Sequence, residues 1–562
     1  GRRVAFLHAP RSAAQRALDP SAPARGPRYR RLDRLGARSD GRGFRDGAWQ
    51  HLWVLDLRTN RVRQLTAGDY DDEDPAWSPD GRWLAFVSNR IARAEFFHAN
   101  RDVYVVAARG GRPRRLTEAR GPKRAPAWSP DGRRIAYLGH RRWPDTVDHP
   151  HVWTVQVRDG VGRDLLPDAD LLCEHRVETD VGPGPEPQPP LWSADGRRLF
   201  FLASREGETN IWEVDAGGGA PQQRSFGRHA VCELSQSRRG ERWAFTRLAA
   251  DSPGDVWIAS AADRGRREPA PAANGSGPAA APGPRVDGAR VRRLTHQNDA
   301  WLRERRLFTP QEFRVPTGGG HRVHAWMLRA ATRGRGPAVL LVHGGPHALY
   351  GWSFLFQAQA LAGRGCHVVL ANVRGSAGYG REYMRAVVGK WGTRDYEDLV
   401  HVADAVERLP FVDPARLGVA GESYGGYLTL WTVAHTRRFR CAASSDGISN
   451  LLSLHGTSDL GWALAHEFDG MHPWESLDRW WRVSPIAHVH HIRTPLLLVH
   501  AEDDGRVPVS QADELFTALA VLQRDVEMVR FPGETHGMAS RGRPHNRRER
   551  LRRILDWFEQ RL

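Results

Sequence analysis

Apolar and polar positions follow two different rhythms along the chain. Over the first half, short apolar runs such as Trp83 to Val87, Ile135 to Leu138 and Leu199 to Leu202 read as strands. Each run follows a repeated turn: Trp77-Ser78-Pro79-Asp80-Gly81-Arg82, Trp128-Ser129-Pro130-Asp131-Gly132-Arg133 and Trp192-Ser193-Ala194-Asp195-Gly196-Arg197. Proline sets one backbone dihedral and glycine accepts a positive one, so these turns predict hairpins. A weaker copy lies at Leu234 to Phe245, and Gly1 to Leu7 matches the second half of a copy.

A second pair of strands accompanies the hairpins. Leu52 to Leu57 leads to Gln64-Leu65-Thr66, Val103 to Val106 leads to Arg115-Leu116-Thr117, and Val256 to Ile258 leads, after a long detour, to Arg293-Leu294-Thr295. Four strands in a repeat of about 40 to 60 residues predict the blades of a β-propeller. Three to five blades close poorly, so a ring of roughly six to eight is expected to need sequence before Gly1. Residues 268–288, rich in Pro, Ala and Gly, are expected to form a disordered excursion, with Val181 to Pro190 a shorter proline-rich loop. The acidic run Asp69 to Asp74 lacks the spacing and glycine of a calcium loop and is expected to be a solvated connection.

From about Glu312 strands and helices alternate. Strands are predicted at Gln311 to Val315, Val323 to Leu328, Ala338 to Val342, Cys366 to Ala371, Leu417 to Ala420, Arg440 to Ala443, Pro495 to Val499 and Val526 to Arg530. Helices are predicted at Phe354 to Ala362, Tyr396 to Leu409, Tyr427 to Ala434 and Glu549 to Gln560. The run Ala338 to Val342 is apolar throughout, as expected of a strand buried on both faces. The predicted fold is an N-terminal all-β propeller over residues 1–304, incomplete at its N-terminus, followed by an α/β-hydrolase domain over residues 305–562 with a mainly parallel, doubly covered sheet.

Composition refines this picture only modestly. With 562 residues, 40% of them hydrophobic, the chain is a folded protein of two large domains. The net charge of +17 invites a nucleic-acid reading, but the 82 basic residues are spread through every segment and commonly sit at turns, so a solvated arginine-rich surface is expected and no nucleic acid. Cys173, Cys232, Cys366 and Cys441 form no C-x-x-C pair, which argues against a zinc site or a disulfide framework. No stretch approaches the roughly 18 apolar residues of a membrane span. Cytoplasmic residence is the expectation, with a signal peptide before Gly1 left open.

The chemistry centres on Gly421-Glu422-Ser423-Tyr424-Gly425-Gly426, a G-x-S-x-G elbow between an apolar strand and a buried helix. A serine needs a base to take its proton and a third group to orient that base. In chain order the acid should follow a later strand, and Glu502, Asp503 and Asp504 follow Leu496 to His500. Asp446, after the strand next to the elbow, is a rival acid. The base should follow the next strand, where His536 stands on a glycine-flanked loop, whereas His545 reads as a surface residue and His500 as structural. Oxyanion donors are expected from the backbone amide of Tyr424 and from Gly344 or Gly345 in His343-Gly344-Gly345-Pro346.

Together these residues resemble the prolyl oligopeptidase family of serine peptidases, most closely its acylaminoacyl-peptidase branch. The resemblance rests on the H-G-G-P loop at His343 to Pro346, N-x-R-G-S-x-G-Y-G at Asn372 to Gly380, G-x-S-Y-G-G at Gly421 to Gly426, S-P at Ser484-Pro485, D-x-R-V-P at Asp504 to Pro508 and G-E-x-H-G at Gly533 to Gly537. It covers essentially the whole chain, and it selects Asp504 as the acid and His536 as the base. Departures are small: Ala501 replaces a frequent glycine and Thr535 stands where a small residue is common. The resemblance implies a serine peptidase on short peptides, an acyl-enzyme, a propeller that excludes folded proteins, and no metal or cofactor. It also implies that Arg506 helps to bind substrate, against a structural role bonding loop carbonyls. Alternatives are a carboxylesterase with the same triad and a non-catalytic propeller interaction module. No membrane partner is expected, and self-association as a homo-oligomer stays open.

Overall fold

The computed structural model describes residues 1–11, 29–118, 120–141, 147–182, 184, 186–261 and 284–562. The chain forms two compact units. One comprises Gly1–Glu174, Pro187–Leu202 and Trp212–Gln222; the other comprises His175–Glu186, Ala203–Ile211 and Gln223–Leu562.

In the first unit the repeats become propeller blades. Strands Asp72–Trp77, Trp83–Ser88, Asp102–Ala107 and Arg114–Arg115 pair in that order into an antiparallel sheet, and Lys123–Trp128, Arg134–Gly139, His151–Gln156 and Gly162–Asp164 form the next. Arg3–His8, His51–Asp56 and Arg61–Gln64 form a three-stranded sheet of the same kind. Successive side chains of a strand point to opposite faces. Leu84 and Phe86 accordingly pack with Leu52 and Tyr104, while Ala85 and Val87 pack with Val105 and Ile135. Both faces of the two middle strands are therefore buried, and this is why they are apolar almost throughout.

The repeated turn has one physical explanation. Ser78 Oγ donates to Asp80 Oδ1 at 2.6 Å and accepts the Trp83 amide at 2.9 Å, Asp80 Oδ1 accepts the Arg82 amide at 3.0 Å, and Gly81 turns the chain at φ 66°. Ser129 with Asp131 and Ser193 with Asp195 repeat these bonds. In the weaker copy Ser237 Oγ still accepts the Arg242 amide at 3.1 Å, although no aspartate assists. The tryptophan that opens each turn joins repeats, since Trp128 Nε1 donates to the Ala76 carbonyl at 3.1 Å and Trp192 Nε1 to that of Ala127 at 3.0 Å. The Leu-Thr ends recur for a similar reason: Thr66 and Thr117 accept the amides of Leu52 and Val103.

The acidic run is a solvated connection only at its start, where Asp69 is exposed. Asp72–Trp77 is a strand, and Asp72 is fully buried between Arg90, at 2.6 Å, and His51. Arg101 holds Glu73 at 2.7 Å, Arg34 holds Asp69 at 3.0 Å, and Arg45 pairs with Asp71. Asp74 accepts the Ala125 amide at 2.8 Å. Charge compensation by distant arginines, invisible in a local window, draws Asp72 and Glu73 into the sheet, while Asp69 stays exposed ahead of the strand.

The second unit holds one further antiparallel set, Ala230–Gln236, Arg242–Ala249, Ser252–Ala261 and Ala289–Arg293. The expected excursion at 268–288 lies outside the described residues up to 283. Among the described residues after 283, Arg285–Val286 pairs with Ser225–Phe226, so these two positions are not disordered as expected. The rest of the unit is an eight-stranded sheet in the order Pro310–Pro316, Arg322–Leu328, His367–Asn372, Gly336–Val342, Val412–Glu422, Cys441–Ser445, Leu496–Ala501 and Val526–Phe531. The first two strands run antiparallel to their neighbours and the remaining pairs are parallel. Leu340, Val369, Val419 and Leu498 face one apolar layer with Tyr427 and Trp480; Leu341, Leu370, Ala420 and Leu497 face the other with Phe558. The α/β-hydrolase architecture is thus present, with the serine-bearing strand near its centre. Helix boundaries differ by a few residues, most at the last helix, Pro544–Arg561, which begins five residues early because Pro544 is well suited to a first helical turn. Among the described residues no helix is long and apolar enough to cross a membrane.

The tryptophan bridge between blades is testable. Trp128→Phe keeps the ring but leaves the Ala76 carbonyl without its donor, and it should cost about 1 kcal/mol, read as a lower midpoint in thermal or urea unfolding. An unchanged midpoint would show that the indole N–H contributes nothing.

Candidate active site

The serine turn follows from close backbone packing. Strand Val412–Glu422 ends at Ser423, whose φ of 59° and ψ of −120° reverse the chain before helix Tyr424–His435. A Cβ on Gly421 would lie 2.3 Å from Gly425, and one on Gly425 would lie 2.2 Å from the Val342 carbonyl oxygen. Only glycine fits at these two positions. The Ser423 amide donates to the Ser445 carbonyl at 2.9 Å, which ties the turn to the neighbouring strand.

Ser423, His536 and Asp504 come together although 113 residues separate serine from histidine. His536 Nε2 lies 3.0 Å from Ser423 Oγ, and His536 Nδ1 lies 2.7 Å from Asp504 Oδ2. The Asp504 side chain is fully buried, and its other oxygen accepts the amides of Arg506 at 2.9 Å and Val507 at 2.7 Å. Burial works against a charged His536, but the hydrogen bond and charge of Asp504, with Asp446 and Glu422 beyond, outweigh it and raise the imidazole to about 9.

Glu502 and Asp503 lie apart from this arrangement; Glu502 pairs with Arg530 at 2.9 Å. His500 is buried on its strand and donates from Nε2 to the Val507 carbonyl at 2.7 Å, while His545 is exposed. Asp446 is also buried, one strand over from the elbow, with Oδ1 on the Ala501 amide at 2.9 Å. Arg506 Nε binds Asp459 at 2.7 Å, and its side chain is 43% exposed. Asp446, His500 and Asp504 offer ligand atoms within 4.8 Å of one another. The bonds to His536, to the Arg506 and Val507 amides and to the Val507 carbonyl already occupy most of that donor set.

The glycine-rich loop lies beside the serine: a Cβ on Gly344 would come within 3.9 Å of Ser423 Cβ and 3.1 Å of Glu178 Oε1. The Gly344 amide donates to Glu178 at 3.4 Å. Burial and the nearby charge of Glu422 push the Glu178 carboxyl up to about 7. Nothing in the sequence near Glu178 points to this place, since the only signal is its contact with a loop 166 residues away.

The N-x-R-G-S-x-G-Y-G element acts as scaffolding for the loop. Asn372 accepts the Tyr350 amide and donates to the Tyr350 carbonyl and to Tyr379, each at 2.8 Å. Arg374 is buried against Asp398 of helix Arg394–Glu407, with Nη2 at 2.6 Å and Nε at 2.9 Å. Ser376 Oγ donates to the Val373 carbonyl at 2.6 Å and lies 2.7 Å from His343 Nε2, while His343 Nδ1 lies 2.7 Å from the Gly344 carbonyl, and these contacts hold the start of the H-G-G-P loop. Burial keeps His343 at about 4, so it stays neutral. Behind the elbow, the Tyr424 hydroxyl donates to buried Asp395, and Glu422 pairs with Arg550 of the last helix at 2.7 Å. These two contacts, which the sequence did not suggest, fix the residues on either side of Ser423.

Comparison with known proteins follows the same division of the chain. A sequence model of the prolyl oligopeptidase family matches residues 352–562, and one of the dipeptidyl peptidase IV (DPP IV) N-terminal region matches residues 34–91. The uncharacterized peptidase YuxL of Bacillus subtilis is 32% identical over 540 residues, covering 94% of this chain and 77% of that protein. Dipeptidyl-peptidase 5 of Porphyromonas gingivalis is 28% identical over 480 residues, 83% of this chain, and the match spans 64% of its length. Among solved structures, the acylaminoacyl peptidase of Pyrococcus horikoshii superposes with a TM-score of 0.81 at 23% identity, over 100% of this chain and 80% of that one. The Mycobacterium tuberculosis puromycin-hydrolyzing peptidase gives 0.67 at 25% identity, over 92% and 74%. With its propeller blades, its α/β-hydrolase sheet and its similarity to the Bacillus peptidase over nearly its whole length, the chain belongs to the prolyl oligopeptidase family of serine peptidases.

Proposed function

We propose that the protein hydrolyses short peptides through an acyl-enzyme on Ser423, as an acylaminoacyl-peptidase-like hydrolase. The observation that carries this reading is the hydrogen-bonded run from Ser423 Oγ through His536 to Asp504. In this reading His536 Nε2 takes the hydroxyl proton as Oγ attacks the peptide carbonyl, then gives that proton to the departing amine. Water repeats the sequence on the ester. Asp504 holds Nδ1–H and so fixes the tautomer that leaves Nε2 free to accept.

The Tyr424 amide is one oxyanion donor, and its position is steadied by the bond from its hydroxyl to Asp395. For the second donor we assign Gly345 rather than Gly344, because the Gly344 amide is directed at Glu178. The Arg506 guanidinium, anchored by Asp459 and still 43% exposed, is the group we assign to a substrate carboxylate or to the carbonyls of an acylated end. Peptides as substrates agree with the names of the relatives, which include acylaminoacyl and dipeptidyl peptidases.

Stoichiometric labelling by a fluorophosphonate is expected, and Ser423→Ala should abolish it and lower peptide turnover by about four orders of magnitude or more. Labelling that survives the substitution would remove Ser423 from its role. Mass spectrometry of products from matched N-acetylated and free peptides should find cleavage, with the acetylated series preferred; turnover of simple esters alone would favour a carboxylesterase.

The raised imidazole gives a second expectation. The base is competent only when deprotonated, so kcat/KM should rise with pH along a limb above the ordinary histidine value of about 6.5 and fall away as pH drops through it. A limb at or below that value would contradict the electrostatic account of the site.

A further inference from the structure

The reading of Ser423, His536 and Asp504 uses one buried carboxylate and leaves another beside it unused. Asp446 follows strand Cys441–Ser445, is fully buried, and adopts φ 45°, a region that aspartate and asparagine tolerate better than most residues. Its amide donates to the Val499 carbonyl at 2.8 Å and its Oδ1 accepts the Ala501 amide at 2.9 Å, so the side chain reaches from its own strand end to the end of the strand that leads to Asp504. Oδ2 is sealed from solvent and has no hydrogen-bond partner among the described residues. An ionised carboxylate oxygen in that position is expensive unless it carries a proton or answers a nearby positive charge.

The surroundings supply both conditions. The groups facing Asp446 are His500 on the adjacent strand, Asp504 on the loop after it, Glu422 on the elbow strand and His536. Asp446, His500 and Asp504 have polar atoms within 4.8 Å of one another, and His500 Nε2 lies 3.9 Å from Asp504 Oδ2.

We propose that Asp446 is a second acid for His536, a positioning residue that shares the electrostatic work of Asp504 from within the same buried cluster. This inference rests on the triad reading given above. Two carboxyls so close in a poorly solvated site titrate as a pair. Asp504 is supplied with two backbone amides and the imidazole N–H, whereas Asp446 has one amide on Oδ1 and nothing on Oδ2, so Asp446 is the one that holds a proton more readily. Burial pushes the Asp446 carboxyl upward, and the charges of Asp504 and Glu422 act in the same direction, against the pull of His500 and His536. As pH rises, Asp446 loses its proton to solvent and becomes a carboxylate. Its charge then stabilises the His536 imidazolium, so the base is freed at a higher pH and the imidazolium of the transition state is better held. When Asp504 is neutralised, Asp446 remains as a negative charge within the cluster.

A purely structural role, through the bond from the Ala501 amide to Oδ1, makes a different forecast. Asp446→Asn retains an Oδ1 acceptor and tolerates the backbone conformation, but it cannot ionise. On the full chain, the kcat/KM limb of Asp446→Asn should move to lower pH by roughly half a unit or more. Asp504→Asn should retain residual turnover that falls by a further tenfold or so in the Asp446→Asn, Asp504→Asn double variant. A limb that stays in place, together with a double variant equal to Asp504→Asn, would overturn the proposal. Should Asp446→Asn fail to fold, Asp446→Ser removes the ionisable group with a smaller side chain and makes the same forecast. Full activity in Ser423→Ala or Asp504→Asn would instead remove the triad reading, whatever Asp446 does.

Discussion

A left-handed backbone turn at one serine constrains most of the catalytic unit. A non-glycine residue at φ 59° and ψ −120° costs on the order of 1–3 kcal/mol and persists only where its surroundings over-determine it. Here they do: Gly421 and Gly425 admit backbone contacts that any side chain would block, and every residue from Tyr424 to Ala434 is buried in the helix that follows. Because the turn occupies the end of a central strand, the neighbouring strands determine what can reach it. The parallel order Val412–Glu422, Cys441–Ser445, Leu496–Ala501, Val526–Phe531 brings the loops bearing Asp446, Asp504 and His536 to one sheet edge, each one strand further out.

What was legible in the sequence and what was not separates by the range of the interaction. The Ser-x-Asp-Gly turn was readable because its bonds join residues two to five positions apart, as with Ser78, Asp80 and Trp83. The central sheet strands, such as Gly336–Val342 and Leu496–Ala501, were readable because a strand buried on both faces is apolar throughout, the edge strands because apolar and polar residues mix over a short run, and the site motifs because each is a short segment with its own backbone requirement. The sheet's partners in the site were not. Glu178 meets Gly344, Asp395 meets Tyr424 and Arg550 meets Glu422 across 166, 29 and 128 residues. The acidic run Asp69 to Asp74 misled for the same reason, since its arginine partners are contributed by other strands and loops.

Those pairings show that a minority of the arginines serve inside the fold, beside the larger number on the surface. A guanidinium is planar, permanently charged and more weakly hydrated than an ammonium, so it can be buried against a carboxylate at lower cost. Arg374 against Asp398, Arg90 against Asp72 and Arg550 against Glu422 are such cases, and Arg90 also covers the rings of Tyr70, Phe86 and Tyr104 at 4.2 to 5.0 Å. Breaking one of these pairs would strand a charge in the interior, which is far costlier than loss of an exposed ion pair. Part of the positive charge that composition alone assigns to the exterior is therefore internal mortar.

The same accounting, applied around Ser423, gives an acidic site. Asp504, Asp446, Glu422 and Glu178 all lie within electrostatic reach of the elbow, and Arg550 answers only Glu422 directly. Excess negative charge in a poorly solvated pocket has two outlets: some carboxyls keep their protons, and the imidazole among them gains affinity for one. Glu178 and Asp446 take the first route and His536 the second. For a base this is a compromise. A strongly held imidazolium lowers the energy of the state in which the serine proton has moved, but it reduces the fraction of enzyme that begins with a free Nε2. On the proposal made above, an Asp446 whose charge appears as pH rises sharpens that compromise: the imidazolium of the transition state is better held, and the free base is reached only at higher pH.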